Sequence, residues 1–174
     1  MPSSKKMIYQ GKIIKLTENL VQLPDGSSEW QEWVEHPGGA VVLALNDHNE
    51  ICLLKQYRGI VDEWIWELPA GKIDNKEAPI ETAKRELAEE AGIEASQWIS
   101  LGTYLSSPGV FSEAIYMYMV KDIKPGKIGH DANEYIQVNW ISLDEARQYM
   151  LDNTIKDGKT IACISKAILY LDTE

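Results

Sequence analysis

Four glutamates and an arginine, three of those glutamates close together with it, share one short glycine-bounded segment, Gly71-x5-Glu77-x7-Arg85-Glu86-Leu87-x-Glu89-Glu90-x-Gly92-Ile93. At average residue frequencies, so many specified positions would coincide by chance in such a chain with probability on the order of 10⁻⁷. On a helix, Glu86 is three residues from Glu89 and four from Glu90, so the three carboxylates project from neighbouring positions. Arg85 precedes Glu89 by four residues, close enough to hydrogen-bond it and fix its direction. Carboxylates this close repel one another, and some would hold a proton at neutral pH unless a cation compensates them. Hard oxygen donors select Mg²⁺, with Mn²⁺ as a substitute, over zinc, which prefers His or Cys. The plainer reading is a solvated acidic helix face, common in a chain with 27 acids against 17 bases. The two glycines, Glu77 and Arg85, all in register, favour the metal site.

The helix that must carry these residues can be read locally. Pro79 suits the first turn, where a missing N–H costs nothing, and Ile80 to Ala91 contains good helix formers. Gly92 can take the left-handed conformation that ends a helix. Ala83, Leu87 and Ala91 form an apolar stripe for docking onto a sheet. Around it, Lys6 to Leu16 and Gln31 to His36 read as strands, separated by the turn sequence Leu23-Pro24-Asp25-Gly26. Ala40 to Leu45 and Ile51 to Tyr57 form an apolar pair about Asn46-Asp47-His48-Asn49. Strands are expected near 98–105, 113–121 and 134–141, then helices from Leu143 to Leu151 and from about Lys159 to Leu171.

A chain of 174 residues is an ordinary single-domain length able to bury a substantial core. A net charge of −10 argues against nucleic acid as the principal partner. Cys52 and Cys163 sit in apolar runs and read as small core residues without metal-ligand spacing. His36, His48 and His130 are scattered, with no Ser-His-Asp arrangement. No signal peptide, membrane-spanning run or lipidation motif is visible, so a cytoplasmic protein with no membrane partner is expected.

The segment 71–93 resembles the signature of the Nudix hydrolases, with every defining position filled. Flanking runs extend the likeness toward the ADP-ribose pyrophosphatases of that family. Trp66-Glu67-Leu68-Pro69-Ala70-Gly71 resembles the run that opens the motif there. Gln56-Tyr57-Arg58 is similar to a strand end, and Ser107-Pro108-Gly109-Val110-Phe111-Ser112-Glu113 to a Ser-Pro-Gly loop with its following Glu.

The resemblance implies an α/β Nudix fold, an α/β/α sandwich with a mixed sheet and N-terminal antiparallel strands. Residues 1–36 would supply strands for dimerisation and substrate contacts, and residues 37–174 the hydrolase domain. It implies metal-dependent hydrolysis of a nucleoside diphosphate linked to another group: ADP-ribose cut to AMP and ribose 5-phosphate. A nucleotide sugar such as GDP-mannose, or a nucleotide-binding module without catalysis, stands as the alternative. Glu86 and Glu90 would be the principal metal ligands, with Glu89, Glu134 and the Ala70 carbonyl completing the set. Arg58 would contact substrate phosphate or ribose, and Glu113 a hydroxyl of the second sugar.

Relatives in that subgroup are homodimers whose N-terminal strands reach both active sites. Trp30 or Trp33 would then stack on the purine or pack between subunits, with plain core packing as the other reading. Glu32 would contact the adenine, although Gln31 stands where those relatives often carry Arg. Their general base is a Glu two residues before a metal-binding Glu. Here Glu134 matches the second position and Ala132 falls on the first. Alanine accepts no proton, which leaves Glu134, Asp131 and Glu89 as candidate bases in that order, with Arg85 orienting Glu89.

Overall fold

The computed structural model describes residues 4–74, 76–127, 129 and 135–173. Among these residues ten strands and three helices follow in chain order: β1 (Lys5–Gln10), β2 (Lys15–Gln22), β3 (Ser28–Glu35), β4 (Gly39–Ala44), β5 (Glu50–Arg58), β6 (Glu63–Glu67), β7 (Ala70–Lys72), α1 (Pro79–Ala91), β8 (Ile93–Leu105), β9 (Ala114–Pro125), β10 (Ile136–Ser142), α2 (Leu143–Leu151) and α3 (Gly158–Leu171).

The strands make three sheets, ordered β1-β2-β3, β10-β5-β6 and β7-β4-β9-β8. The last is mixed, because β4 runs parallel to β9 and antiparallel to β7. Side chains alternate across a strand, and β4 is buried on both faces, so its residues divide between two cores. Val41 and Leu43 join Ile51, Leu53, Met117 and Met119 beneath Cys163, Ile164 and Ala167 of α3. Ala40, Val42 and Ala44 join Cys52 and Leu54 beneath Ala83, Leu87 and Ala91 of α1. Helices thus cover opposite faces, the α/β/α arrangement expected. Both cysteines are free and buried, and burial pushes their thiol pKa values up to about 12.

Local signals set the helix ends. Pro79 opens α1, and Gly92 ends it at φ 64° and ψ 37°, donating to the Ala88 carbonyl at 3.0 Å. Asp157 caps α3 by accepting from the Thr160 N–H at 3.0 Å, as Ser142 caps α2 through the Glu145 N–H.

One expectation is corrected and one strand is added. Lys6 to Leu16 is not one strand: the Gly11 N–H donates to the Ile14 carbonyl at 2.9 Å, and the turn folds β2 back on β1. The short apolar-and-charged run Glu63–Glu67, unassigned from sequence, pairs with β5 as β6. Among the described residues, no helix is long and apolar enough to cross a membrane.

Candidate active site

Strand β7 carries Ala70, Gly71 and Lys72 to the foot of α1, and the motif closes there. A Cβ at Gly71 would overlap the Glu86 carboxylate, so only glycine lets that side chain lie across the strand. Glu90 belongs to the buried face of α1, 4% exposed, and accepts from the Ala70 N–H at 2.8 Å. Arg85 spends its guanidinium on four acceptors: Glu86 at 2.7 Å, Glu89 at 3.1 Å, Glu77 at 2.9 Å and the Lys72 carbonyl at 3.2 Å. Burial would lower its pKa, but Glu77, Glu86 and Glu89 raise it overall, which keeps the guanidinium charged. Glu77 also accepts from Thr82 at 2.9 Å, and the Arg85 hydrogen bond holds its pKa below the usual carboxylate value. Arg85 therefore acts as a clamp, as its spacing from Glu89 predicts.

These residues line a cleft of about 760 Å³ that also receives Gln56 and Arg58 from β5, His36, Tyr104, Ser106, Glu113, and Asp157, Gly158 and Lys159 at the start of α3. Thr160 docks that helix beside the motif, its hydroxyl accepting from the Leu68 N–H at 2.9 Å. Arg58 reaches the cleft, but its Nε and Nη2 hydrogen-bond Glu67 at 2.6 and 2.8 Å. Lys159 donates to the same carboxylate, and to Asp157 at 3.0 Å. Burial would raise the Glu67 pKa, but Arg58 and Lys159 bring it below its usual value.

Glu113 also lines the cleft, as expected, with a neighbour not anticipated from sequence: His36 Nδ1 lies 3.3 Å from its Oε1. That nitrogen accepts from the Gly38 N–H at 3.1 Å, so it cannot also donate to Glu113. Burial pushes the His36 pKa down, partly opposed by Glu113, and the imidazole is neutral at neutral pH. The Ser106 hydroxyl nearby is buried and has no hydrogen-bond partner among the described residues, leaving it available to a ligand hydroxyl.

The structure does not bring Trp30 and Glu32 to this cleft. They border a separate groove with Glu18, Gln31, Gly109 and Val110, and Lys6 Nζ lies 4.2 Å from the centre of the Trp30 ring. Glu134, Asp131 and Ala132 lie outside the described residues.

Sequence reading passed over His36, Ser106, Glu67 and Lys159. The capping Asp157 three residues before Thr160 marks a helix start, but nothing local shows where that start lands.

The donor chemistry suits a hard divalent ion. Glu86 and Glu90 would offer carboxylate oxygens beside a strand cleared by Gly71, with Glu89 on the same helix. Among the described residues no three acidic, His or Cys side chains are arranged to hold an ion, since Arg85 draws Glu86 and Glu89 while Glu90 turns to Ala70.

A mixed-sheet sandwich with an acidic helix laid over a glycine strand, at a cleft that also holds cations, defines a hydrolase of the Nudix type. The NUDIX domain family model matches residues 34–162, and the chain belongs to that family, whose members generally depend on divalent metal. It is 34% identical over 170 residues to an ADP-ribose pyrophosphatase of Bacillus subtilis (strain 168), covering 97% of this chain and 90% of that protein. It is 37% identical over 161 residues to a methanol dehydrogenase activator of Bacillus methanolicus, covering 91% of this chain and 87% of that one. Among solved structures, an ADP compounds hydrolase shares the fold with a TM-score of 0.82 at 17% identity, over 97% of this chain and 92% of that one.

Proposed function

We propose that the protein hydrolyses the pyrophosphate bond of ADP-ribose, yielding AMP and ribose 5-phosphate, with Mg²⁺ held by Glu86, Glu89, Glu90, Glu134 and the Ala70 carbonyl. The observation that carries this reading is the joining in one cleft of the Glu86–Gly71–Glu90 oxygen site with the cations Arg58 and Lys159. The 34% identity to an ADP-ribose pyrophosphatase over nearly the whole chain supports the choice of substrate.

A diphosphate resists water because its oxygens are anionic and repel the nucleophile. Bound Mg²⁺ supplies charge neutralisation and a more acidic water. The chain's own residues do the rest. Arg58 and Lys159 offer hydrogen-bond donors to phosphate oxygens. Glu113 accepts from a hydroxyl of the second sugar, and Ser106 lies in the same cleft to bond it. A carboxylate takes the proton of the attacking water, whose oxygen forms the new P–O bond while the bridging oxygen leaves with the other phosphate. Glu134, Asp131 and Glu89 are the bases proposed, and Arg85 fixes the direction of Glu89.

A homodimer built through β1–β3 is part of this reading. Every residue of β1 is exposed, and Met7, Ile8, Tyr9, Leu20 and Trp30 present large apolar surface. Exposed apolar patches of this kind mark interaction sites. A second copy would cover them and could carry Trp30 and Glu32 to its partner's cleft to hold the purine.

The test is a panel of ADP-ribose, GDP-mannose and other nucleoside diphosphate compounds incubated with Mg²⁺, with products resolved by chromatography. ADP-ribose should be cleaved best, and Glu90→Gln should lower kcat by about 10³-fold, as expected when a ligand worth several kcal/mol of transition-state stabilisation is lost. A stronger preference for GDP-mannose would move the assignment to nucleotide sugars. Release of no product from any compound would leave a binding module.

A further inference from the structure

Glu67 does not line the cleft, yet it grips the two cations that do. It closes β6 and is 1% exposed. Its Oε1 accepts from Arg58 Nε at 2.6 Å, and its Oε2 accepts from Arg58 Nη2 at 2.8 Å and from Lys159. Arg58 comes from β5 and Lys159 from the first turn of α3, so one carboxylate ties two cleft-lining cations that lie 101 positions apart in sequence.

The donor count leaves both cations capacity for a ligand. A guanidinium has five N–H groups, and Arg58 directs two nitrogens at Glu67, while among the described residues its Nη1 makes no hydrogen bond. An ammonium has three, and Lys159 uses Glu67 and Asp157. Arg58 and Lys159 are long side chains with many rotamers, and two cations left alone would repel each other. A ligand binding to loose cations must order them at the moment of binding, whereas preset ones bind without that cost. A buried ion pair by itself adds little stability compared with an apolar replacement, so fold stability is a weak reason for this arrangement.

We propose that Glu67 is a positioning residue that presets Arg58 and Lys159 as a paired cationic seat for a phosphate of the substrate. It acts through those two side chains and does not itself touch the ligand. This rests on the assignment of the cleft to a diphosphate-linked substrate, and goes beyond it by naming the residue that organises the binding cations.

The experiment is a kinetic cycle on the full chain with ADP-ribose and Mg²⁺, comparing Glu67→Gln, Arg58→Ala/Lys159→Ala and the triple variant. Glu67→Gln should raise KM roughly tenfold, the size of one charge-assisted phosphate contact, and change kcat less than about threefold. In the Arg58→Ala/Lys159→Ala background the same substitution should leave KM unchanged, because nothing remains to position. A KM unaltered in the single variant, or an equal rise in both backgrounds, overturns the proposal. Should Glu67→Gln fail to fold by circular dichroism, Glu67→Asp, which keeps the charge but withdraws it by one methylene, replaces it with the same expected direction. If the wild type leaves ADP-ribose uncleaved, that substrate assignment fails by itself. The cycle is then read on the calorimetric Kd of inorganic pyrophosphate with Mg²⁺: a tenfold weakening by Glu67→Gln supports the positioning role. An unchanged Kd, or no binding by the wild type, overturns it.

Discussion

Strands β4 and β1 are both six residues long and both carry apolar side chains, yet every residue of β4 is buried and every residue of β1 is exposed. The difference lies in what covers them. Strand β4 has β7 and β9 on its edges and lies in cores capped by α1 and α3, so all it needs is inside the chain. The β1–β3 sheet has one strand, β3, strapped to the body by the Val34 N–H on the Val110 carbonyl at 2.8 Å and the Ser112 N–H on the Val34 carbonyl at 3.0 Å. A three-stranded sheet whose large apolar side chains stay exposed lies near the lower limit of independent stability. The comparison teaches where function can be found: the cleft in the central sandwich gathers acidic and cationic groups from one chain, while Trp30 and Glu32 are left facing outward.

The sharpest way to break the central site is to fill its glycine. Gly71→Ala places a methyl where the Glu86 carboxylate lies, and misplacing that proposed ligand should lower kcat/KM about 10²-fold. Steady-state kinetics on a variant with wild-type circular dichroism reads this, and retention of full activity would remove Glu86 from the metal site. A second test concerns the stability of the same region. The folded pKa of Glu67 is depressed, so its contribution is fully present above its ordinary value of 4.5 and is lost as pH falls through the lower folded value. Urea midpoints should therefore fall below about pH 4.5 more steeply in the wild type than in Glu67→Gln. Parallel curves would show that the carboxylate is not held by its two cations. The smallest effect on core stability is expected at the other region. Leu20 and Trp30 are cross-strand partners on β2 and β3, and changing both to Lys should convert a dimer to a monomer by light scattering, with little change in the urea midpoint of the monomeric core. A wild type that is already monomeric would refute the dimer.

Legibility from sequence tracked the distance over which each feature is encoded. Pro79, Gly92 and the Ala83-Leu87-Ala91 stripe set the bounds and buried face of α1 through contacts within a few residues, and the structure keeps all of them. Strand β6 escaped notice because Glu63-Trp64-Ile65-Trp66-Glu67 is too short for a clear period, and its pairing with β5 decides it. The turn at Gly11 was hidden because Ile13 and Ile14 continue the apolar look of β1 across it. At the site, Arg58 and Glu113 were legible only through the family resemblance of the runs that carry them, whereas His36 looked like a stray histidine until the fold brought it beside Glu113.

Sequence alone determined the acidic half of the cleft, because a helix repeats every 3.6 residues and the spacing of Arg85, Glu86, Glu89 and Glu90 already places them together. The tertiary structure decided the cationic half. Lys159 meets Glu67 only because α3 docks its first turn against the segment between β6 and β7, with the Thr160 hydroxyl accepting from the Leu68 N–H. Such a meeting depends on closing a long loop of chain, and no local pattern of residue types records it.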